Sequence, residues 1–275
     1  MINKYMKLLS ALIFATVLSA QETGYSLSVA GVGMSMDYSE YLEDGELFNT
    51  EESDLNGIAG LELKLAYIEV LENNYYSKIG FNFELLAGET QYTGGIIGSG
   101  LGYGSYLSAT TDVIFDIEAE YIYNYILNDE FEISYGIGLG YREWYRELSP
   151  YQIEVYSWLS LRPKIGLTYN LNAFSIGGNL EYQYALNPEM VLLANFENPN
   201  TTVDLGSGNI FEFSIPLKYV YNETTNLFLE YTYQYQTIAE SNKVPYIHQG
   251  NQVLVWEPRS EAYNQYIKFG AEFKF

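Results

Sequence analysis

Two short stretches hold the side chains best suited to chemistry. In REWYR, Arg142, Trp144 and Arg146 stand at alternate positions, and in YSWLSLR so do Tyr156, Trp158 and Arg162. Guanidiniums present a fixed fork of donors to anions, and indole faces accept cations or flat rings. If both stretches are strands, the six side chains share one side. Gly136, Gly138 and Gly140 continue that side below them and leave space. Two readings follow: a pocket for an anionic or sugar-like ligand, or tryptophan and arginine stacking to fill the glycine gap. Other chemistry is sparsely supplied. The one histidine, His248 in YIHQG, has no carboxylate within several residues to orient it as a base. Cysteine is absent. No catalytic residue, metal site or cofactor is expected.

Further stretches look functional but fit plainer readings. The segment DYSEYLEDGELFNTEESDLNG (37–57) has eight acids and no base, without the DxDxDG spacing of a calcium loop. It reads as a solvated acidic loop. GGIIGSGLGYG (94–104) is rich in glycine but lacks the GK[ST] and following helix of a phosphate-binding loop. It reads as a flexible loop.

The elements that must position these residues are strands. Alternating segments are predicted at about 25–36, 57–69, 75–88, 109–126, 131–146, 153–170, 173–186, 209–222, 227–240 and 260–275. LENNY, LNDE, NLNA and NETTN separate some of them. Asn and Asp tolerate left-handed backbone there, so these are tight turns. Long breaks fall at 37–56, 88–108, 187–208 and 241–259, with a shorter one at 147–152. Short and long connections therefore alternate. A soluble sandwich has no reason to sort them by end; an outer-membrane barrel does.

The two faces of each segment agree with that fold. Val113, Phe115, Ile117, Ala119, Tyr121 and Tyr123 oppose Asp112, Asp116, Glu118, Glu120 and Asn124. Of the eleven bases after residue 20, Lys64, Lys78, Arg142, Arg146, Arg162, Lys164, Lys218, Lys268 and Lys274 fall on the polar face. A base facing lipid at mid-bilayer costs about 2 to 4 kcal/mol, which a bilayer selects against. Tyr67, Tyr123, Tyr169 and Tyr219 near the short turns, with Tyr141, Tyr184, Tyr233 and Tyr263 nearer the long breaks, would form two interfacial girdles. The predicted fold class is all-β: a closed antiparallel up-and-down transmembrane barrel of ten strands with short periplasmic turns and long extracellular loops. Inward acids mixed with the nine bases favour a lumen plugged by ion pairs, with a narrow polar channel as the alternative.

Both termini fit export to an outer membrane. Lys4 and Lys7 precede the apolar run LLSALIFATVL and then Ser19 and Ala20, the order of a secretory signal peptide with cleavage between Ala20 and Gln21. The expected division is a signal peptide over 1–20 and a barrel domain over 21–275. With Lys4 and Lys7 removed, eleven bases face 35 acids, a net charge of −24. Nucleic acid is excluded as a partner, since phosphates need clustered bases. The expected partners are outer-membrane lipid and lipopolysaccharide, an assembly machinery and an unidentified extracellular ligand. At the other end, Ile267, Phe269, Phe273 and Phe275 alternate to the last residue.

That ending, FGAEFKF, resembles the C-terminal signal that outer-membrane barrels present to their assembly machinery. Strand addition at an open sheet edge would read its register. The ten segments, with PKIGLTYNLNAFSIGGNLEYQY (163–184) and EAYNQYIKFGAEFKF (261–275), resemble the omptin family of outer-membrane proteases. That resemblance implies a ten-stranded barrel. It also implies a D-x-H couple just beyond the seventh strand and an acidic pair in the second loop. Here YALNPEMVLL (184–193) has neither Asp nor His, and the second loop offers Glu89. The functional expectation is a non-enzymatic surface protein acting through acidic loops. A narrow porin-like channel is the first alternative and an omptin-like protease the second.

Overall fold

The structure is a computed structural model that describes residues 24–72, 74–96, 101–128, 130–149, 152–193, 198–248 and 250–275. The predicted signal peptide and its Ala20–Gln21 junction lie outside the described residues. Strands are β1 (Gly24–Tyr41), β2 (Leu47–Glu72), β3 (Tyr75–Ile96), β4 (Leu101–Ile126), β5 (Phe131–Ser149), β6 (Gln152–Leu171) and β7 (Phe174–Leu192). They continue as β8 (Thr201–Asp204), β9 (Gly208–Asn222), β10 (Thr225–Ile238), β11 (Val244–His248), β12 (Asn251–Val255) and β13 (Arg259–Lys274).

Ten of these close a ring. Each strand from β1 to β7 pairs antiparallel with the next, β7 pairs with β9, β9 with β10, β10 with β13, and β13 returns to β1. The closing seam runs from Ser26 opposite Lys274 to Tyr41 opposite Arg259. Beyond it, Tyr25 and Phe275 exchange backbone bonds of 3.2 and 2.9 Å, so the last residue helps to seal the cylinder. Closure removes the open edge that lipid could not satisfy. Short β8 extends the wall beside β7, and β11 and β12 form a separate hairpin.

The alternating side chains sort as the bilayer requires. Leu159, Leu161, Ile165 and Leu167 of β6 face outward and are exposed, as are Tyr135, Ile137 and Leu139 of β5 and Ile79, Phe81 and Leu85 of β3. A tilted strand of about 9 to 11 residues crosses the hydrocarbon. Rings pair across strands at the short-turn edge of this band: Tyr25 with Tyr67, Tyr123 with Tyr135, Phe131 with Tyr169, and Phe174 with Tyr219. At the other edge Phe115 meets Tyr141, Tyr182 meets Phe211, and Tyr235 stacks on Tyr263.

The wall is taller than the sequence suggests. The predicted long break 37–56 is mostly strand, with its reversal confined to residues 42–46, and β3 and β4 likewise run on through most of 88–108. Only its outer face changes character, from apolar rows to exposed Glu52, Asp54, Glu89 and Glu143. In water a strand needs no apolar outer face, and continued pairing keeps its backbone bonded. The hydropathy pattern therefore fades where the strand does not. Gly94 and Leu101–Gly104 of the predicted flexible loop are also in strands.

Candidate functional site

All six residues of the predicted pocket point inward and are buried, but they are spread over three levels of the lumen. Nearer the short-turn end, Arg162 holds Asp116 through two bonds of 2.9 Å and reaches Ser160 Oγ at 2.7 Å. Lys164 bridges Glu118, Glu120 and Glu181 at 2.7, 2.8 and 2.9 Å. Across the lumen, Lys268 joins Glu62 and Glu84 at 2.6 and 3.0 Å. Arg142 donates to the Tyr266 hydroxyl at 3.3 Å. The glycines are not gaps. A Cβ on Gly138 would overlap the Glu118 carboxylate, and one on Gly140 the Arg162 guanidinium, because both side chains lie flat against β5. The space beside Gly138 and Gly140 is filled by a carboxylate and a guanidinium, not by tryptophan.

Above this ionic level lies one the sequence reading did not contain. Met34, Ile58, Leu86, Ile114, Trp144, Trp158, Ala185 and Ile210 are buried together inside the barrel. Their rows are the polar-inside rows of the same strands. Close apolar packing leaves fewer gaps than mobile ion pairs would.

The third level, at the loop end, gathers around Arg146. Pairing of Asp112 with Arg146 sets it above the exposed apolar band, just beyond outward-facing Glu143. The guanidinium has no exposed surface and is bonded to Glu51 at 2.7 Å, Glu154 at 3.1 Å, Glu40 at 3.3 Å and the Tyr156 hydroxyl at 2.8 Å. Rings of Tyr38, Trp144 and Tyr156 surround it at 4.8, 5.0 and 5.5 Å. Asn49 donates to Glu40 at 2.6 Å, and Thr110 to Glu51 at 3.2 Å. Asp112 accepts from Trp144 Nε1 and Thr90, each at 2.8 Å. Glu257, from the segment between β12 and β13, is in contact with the Tyr156 hydroxyl at 2.6 Å. Being buried among Glu40 and Glu154, its carboxyl is pushed well above the usual carboxylate range, burial being the larger cause.

Trp144, Arg146 and Tyr156 of the predicted six thus meet here, with Arg142 and Arg162 below. Four of the five carboxylates, Glu40, Glu51, Glu154 and Glu257, were the missed residues; Asp112 was already on the polar face. Glu40 and Glu51 lie in the stretch read as a solvated loop, which is a correction: both are buried, while Asp37, Glu43, Asp44, Glu46, Glu52 and Asp54 are exposed. A signal existed. Tyr38 and Glu40 keep the parity of inward Met34 and Met36, so extending the first alternation would have placed them in the lumen.

The remaining predictions are placed as follows. Ile267, Phe269, Phe273 and Phe275 face outward and are exposed. His248 ends β11, in the separate hairpin. Glu89 faces outward, beyond the apolar band.

No family model matches this chain, and no curated protein does. Solved structures do. The outer-membrane protease OmpT from Escherichia coli aligns with a TM-score of 0.57 at 12% identity, over 94% of this chain and 98% of that one. The fold is that of an outer-membrane β-barrel. At that identity the likeness carries the fold alone. The autotransporter NalP translocator domain from Neisseria meningitidis aligns at 8% identity and a TM-score of 0.45, over 99% of this chain and 96% of that one. The AIDA-I transport unit from Escherichia coli aligns at 12% and 0.45, over 94% and 92%.

Proposed function

We propose that this protein is a non-enzymatic surface protein of the outer membrane, with a sealed lumen and an acidic outer wall through which it meets its partners. The observation that carries the reading is the filled interior: ion pairs around Lys164, Arg162 and Lys268, then apolar Ile58, Leu86 and Ile114, then the Arg146 level. Three successive layers of buried side chains support a sealed lumen. Hydrated ions need such a path lined by polar groups. In this reading the loop end faces the exterior and the short turns the periplasm.

The channel alternative is tested by conductance in planar bilayers. The purified barrel is expected to give no steady open level, and Ile114→Gly with Leu86→Gly to give one by emptying the apolar layer. A steady open level from the unaltered protein would overturn the sealed reading. For the protease alternative, the stretch 184–193 offers no Asp-His couple, and the inward-facing carboxylates Glu40, Glu51, Asp112 and Glu154 are buried around Arg146. Cleavage of basic peptides by the purified protein would overturn the non-enzymatic reading.

A further inference from the structure

The β11–β12 hairpin packs on the apolar cluster at the loop end of the barrel. Val244, Tyr246 and Val255 pack against the apolar cluster of the lumen, while Pro245, Ile247 and Leu254 on the opposite face are exposed. Backbone bonds join its feet: Ser241 N–H donates to the Glu257 carbonyl at 3.0 Å, and Glu257 N–H to Ser241 Oγ at 2.7 Å. Asn198 holds one edge, donating to Ile247 O at 2.7 Å and accepting from Ile247 N–H at 2.8 Å. Lys243 pairs with Glu43 at 2.6 Å on the rim. At the base of this lid, Glu257 alone of its described residues sends a carboxylate into the Arg146 level.

Counting protons there gives an unequal sum. The Tyr38 hydroxyl lies 2.8 Å from Glu40 and 3.3 Å from Glu257; the Tyr156 hydroxyl lies 3.0 Å from Glu154 and 2.6 Å from the same Glu257 oxygen. Two phenols supply two protons for four contacts with carboxyl oxygens. An ionised carboxylate only accepts, whereas a protonated one can donate. If Tyr38 serves Glu40 and Tyr156 serves Glu154, the 2.6 Å contact is made by a proton on Glu257. The charge balance asks for the same. Glu40, Glu51, Asp112, Glu154 and Glu257 share one buried arginine, and like charges in such a site do not all ionise.

We propose that Glu257 is the proton-bearing latch of a lid formed by the β11–β12 hairpin, which stays closed while that carboxyl is protonated and is released as pH rises. The groups facing it are Tyr38 and Glu40 from β1, Arg146 from β5, and Glu154 and Tyr156 from β6. Glu51 of β2, Tyr92 of β3 and Asp112 of β4 stand in the same level. Arg146 favours ionisation of Glu257, and the neighbouring carboxylates oppose it. The sign follows. With the lid open, Glu257 is solvated and releases its proton near the ordinary carboxylate value of about 4.3. Closed, it keeps the proton to higher pH. Closure is therefore fully favoured below the open-state value and weakens through the interval between the two, by up to about tenfold in population per pH unit.

The chain has no cysteine, so Glu52→Cys with Gln252→Cys, both at exposed positions, gives a clean pair for nitroxide labels on the full barrel in detergent. One short distance is expected at pH 5, with a longer one growing in towards pH 10. Glu257→Gln in the same background is expected to keep the single short distance throughout, because the amide donates to Tyr156 without titrating. A distance distribution unchanged from pH 5 to pH 10, or a Glu257→Gln protein that opens as the parent does, overturns the proposal. Infrared spectroscopy of the unaltered barrel tests it without a lid substitution. A protonated-carboxyl band present at neutral pH and fading over the pH interval of lid release is expected; absence of that band overturns the latch.

Discussion

Arg146 shows what a single residue does in this lumen. Taking a guanidinium out of water costs several kcal/mol, and only bonded partners of opposite charge offset that. Arg146 has Glu40, Glu51 and Glu154, with the Tyr156 hydroxyl as a fourth contact. Removing it would strand those carboxylates without exposure to water, so Arg146→Met is expected to cost about 3 to 5 kcal/mol. Arg142 offers a comparison, equally buried but bonded to a neutral hydroxyl of Tyr266. Arg142→Met leaves no carboxylate without its cation and is expected to cost less. Urea unfolding of both variants in detergent, followed by tryptophan fluorescence, measures the difference. Equal stability of Arg146→Met and the parent would show that the level needs no cation.

At the scale of elements, what could be read from the sequence depended on the lipid. Within the bilayer, chemistry forces each outward residue to be apolar, so all ten barrel strands were legible from alternation. The inward positions of Arg142, Trp144, Arg146, Tyr156, Trp158 and Arg162 followed from the same parity. Above the bilayer that constraint ends, and the upper halves of β2, β3 and β4 looked like loops. The Arg146 level was illegible for a further reason: its carboxylates come from β1, β2, β4, β6 and the segment before β13, and no local pattern joins them. Two interruptions of pairing beside β7 are also set by sequence. Pro163 of β6 and Pro216 of β9 lack an N–H, and pairing with β7 lapses beside each, between Leu161 and Lys164 and between Asn179 and Ile176. A cleft of about 410 Å³ lies at this seam, lined by Pro163, Leu180 and Phe213 and by Lys164, Glu181 and Glu212. Amides of residues 177–183 are therefore expected to exchange with deuterium faster than those of β4 at the same depth, residues 114–120. Substituting Pro216 by valine, which restores the missing backbone N–H, should slow exchange in this stretch of β7. Uniform protection across β4 and β7 would count against a weak seam.

Across the whole molecule, the charges are partitioned more strictly than the hydrophobicity. Nine of the eleven bases after residue 20 project into the lumen. The other two, Lys243 and Arg259, lie on the outside, and each already faces an acid, Glu43 and Glu261 respectively. Exposed Asp37, Asp44, Glu46, Glu52, Asp54, Glu89, Glu143, Glu189 and Asp204 therefore meet the solvent without a facing base at the loop end. Such a field raises the local concentration of cations and steers cationic partners by long-range attraction, within a Debye length of about 10 Å at 0.1 M salt. The wall is expected to attract lysine- or arginine-rich polypeptides and to repel polyanions. Binding of a labelled polylysine to the barrel in neutral detergent is expected to weaken steeply between low and physiological ionic strength. Reversing Glu52, Asp54 and Glu89 to lysine together should reduce it at least tenfold, while reversing Glu69 and Glu130 at the short-turn end should change it little. The outcome that defeats the assignment is equal loss from the two sets, because attraction would then follow net charge alone and the acidic wall would have no directed role.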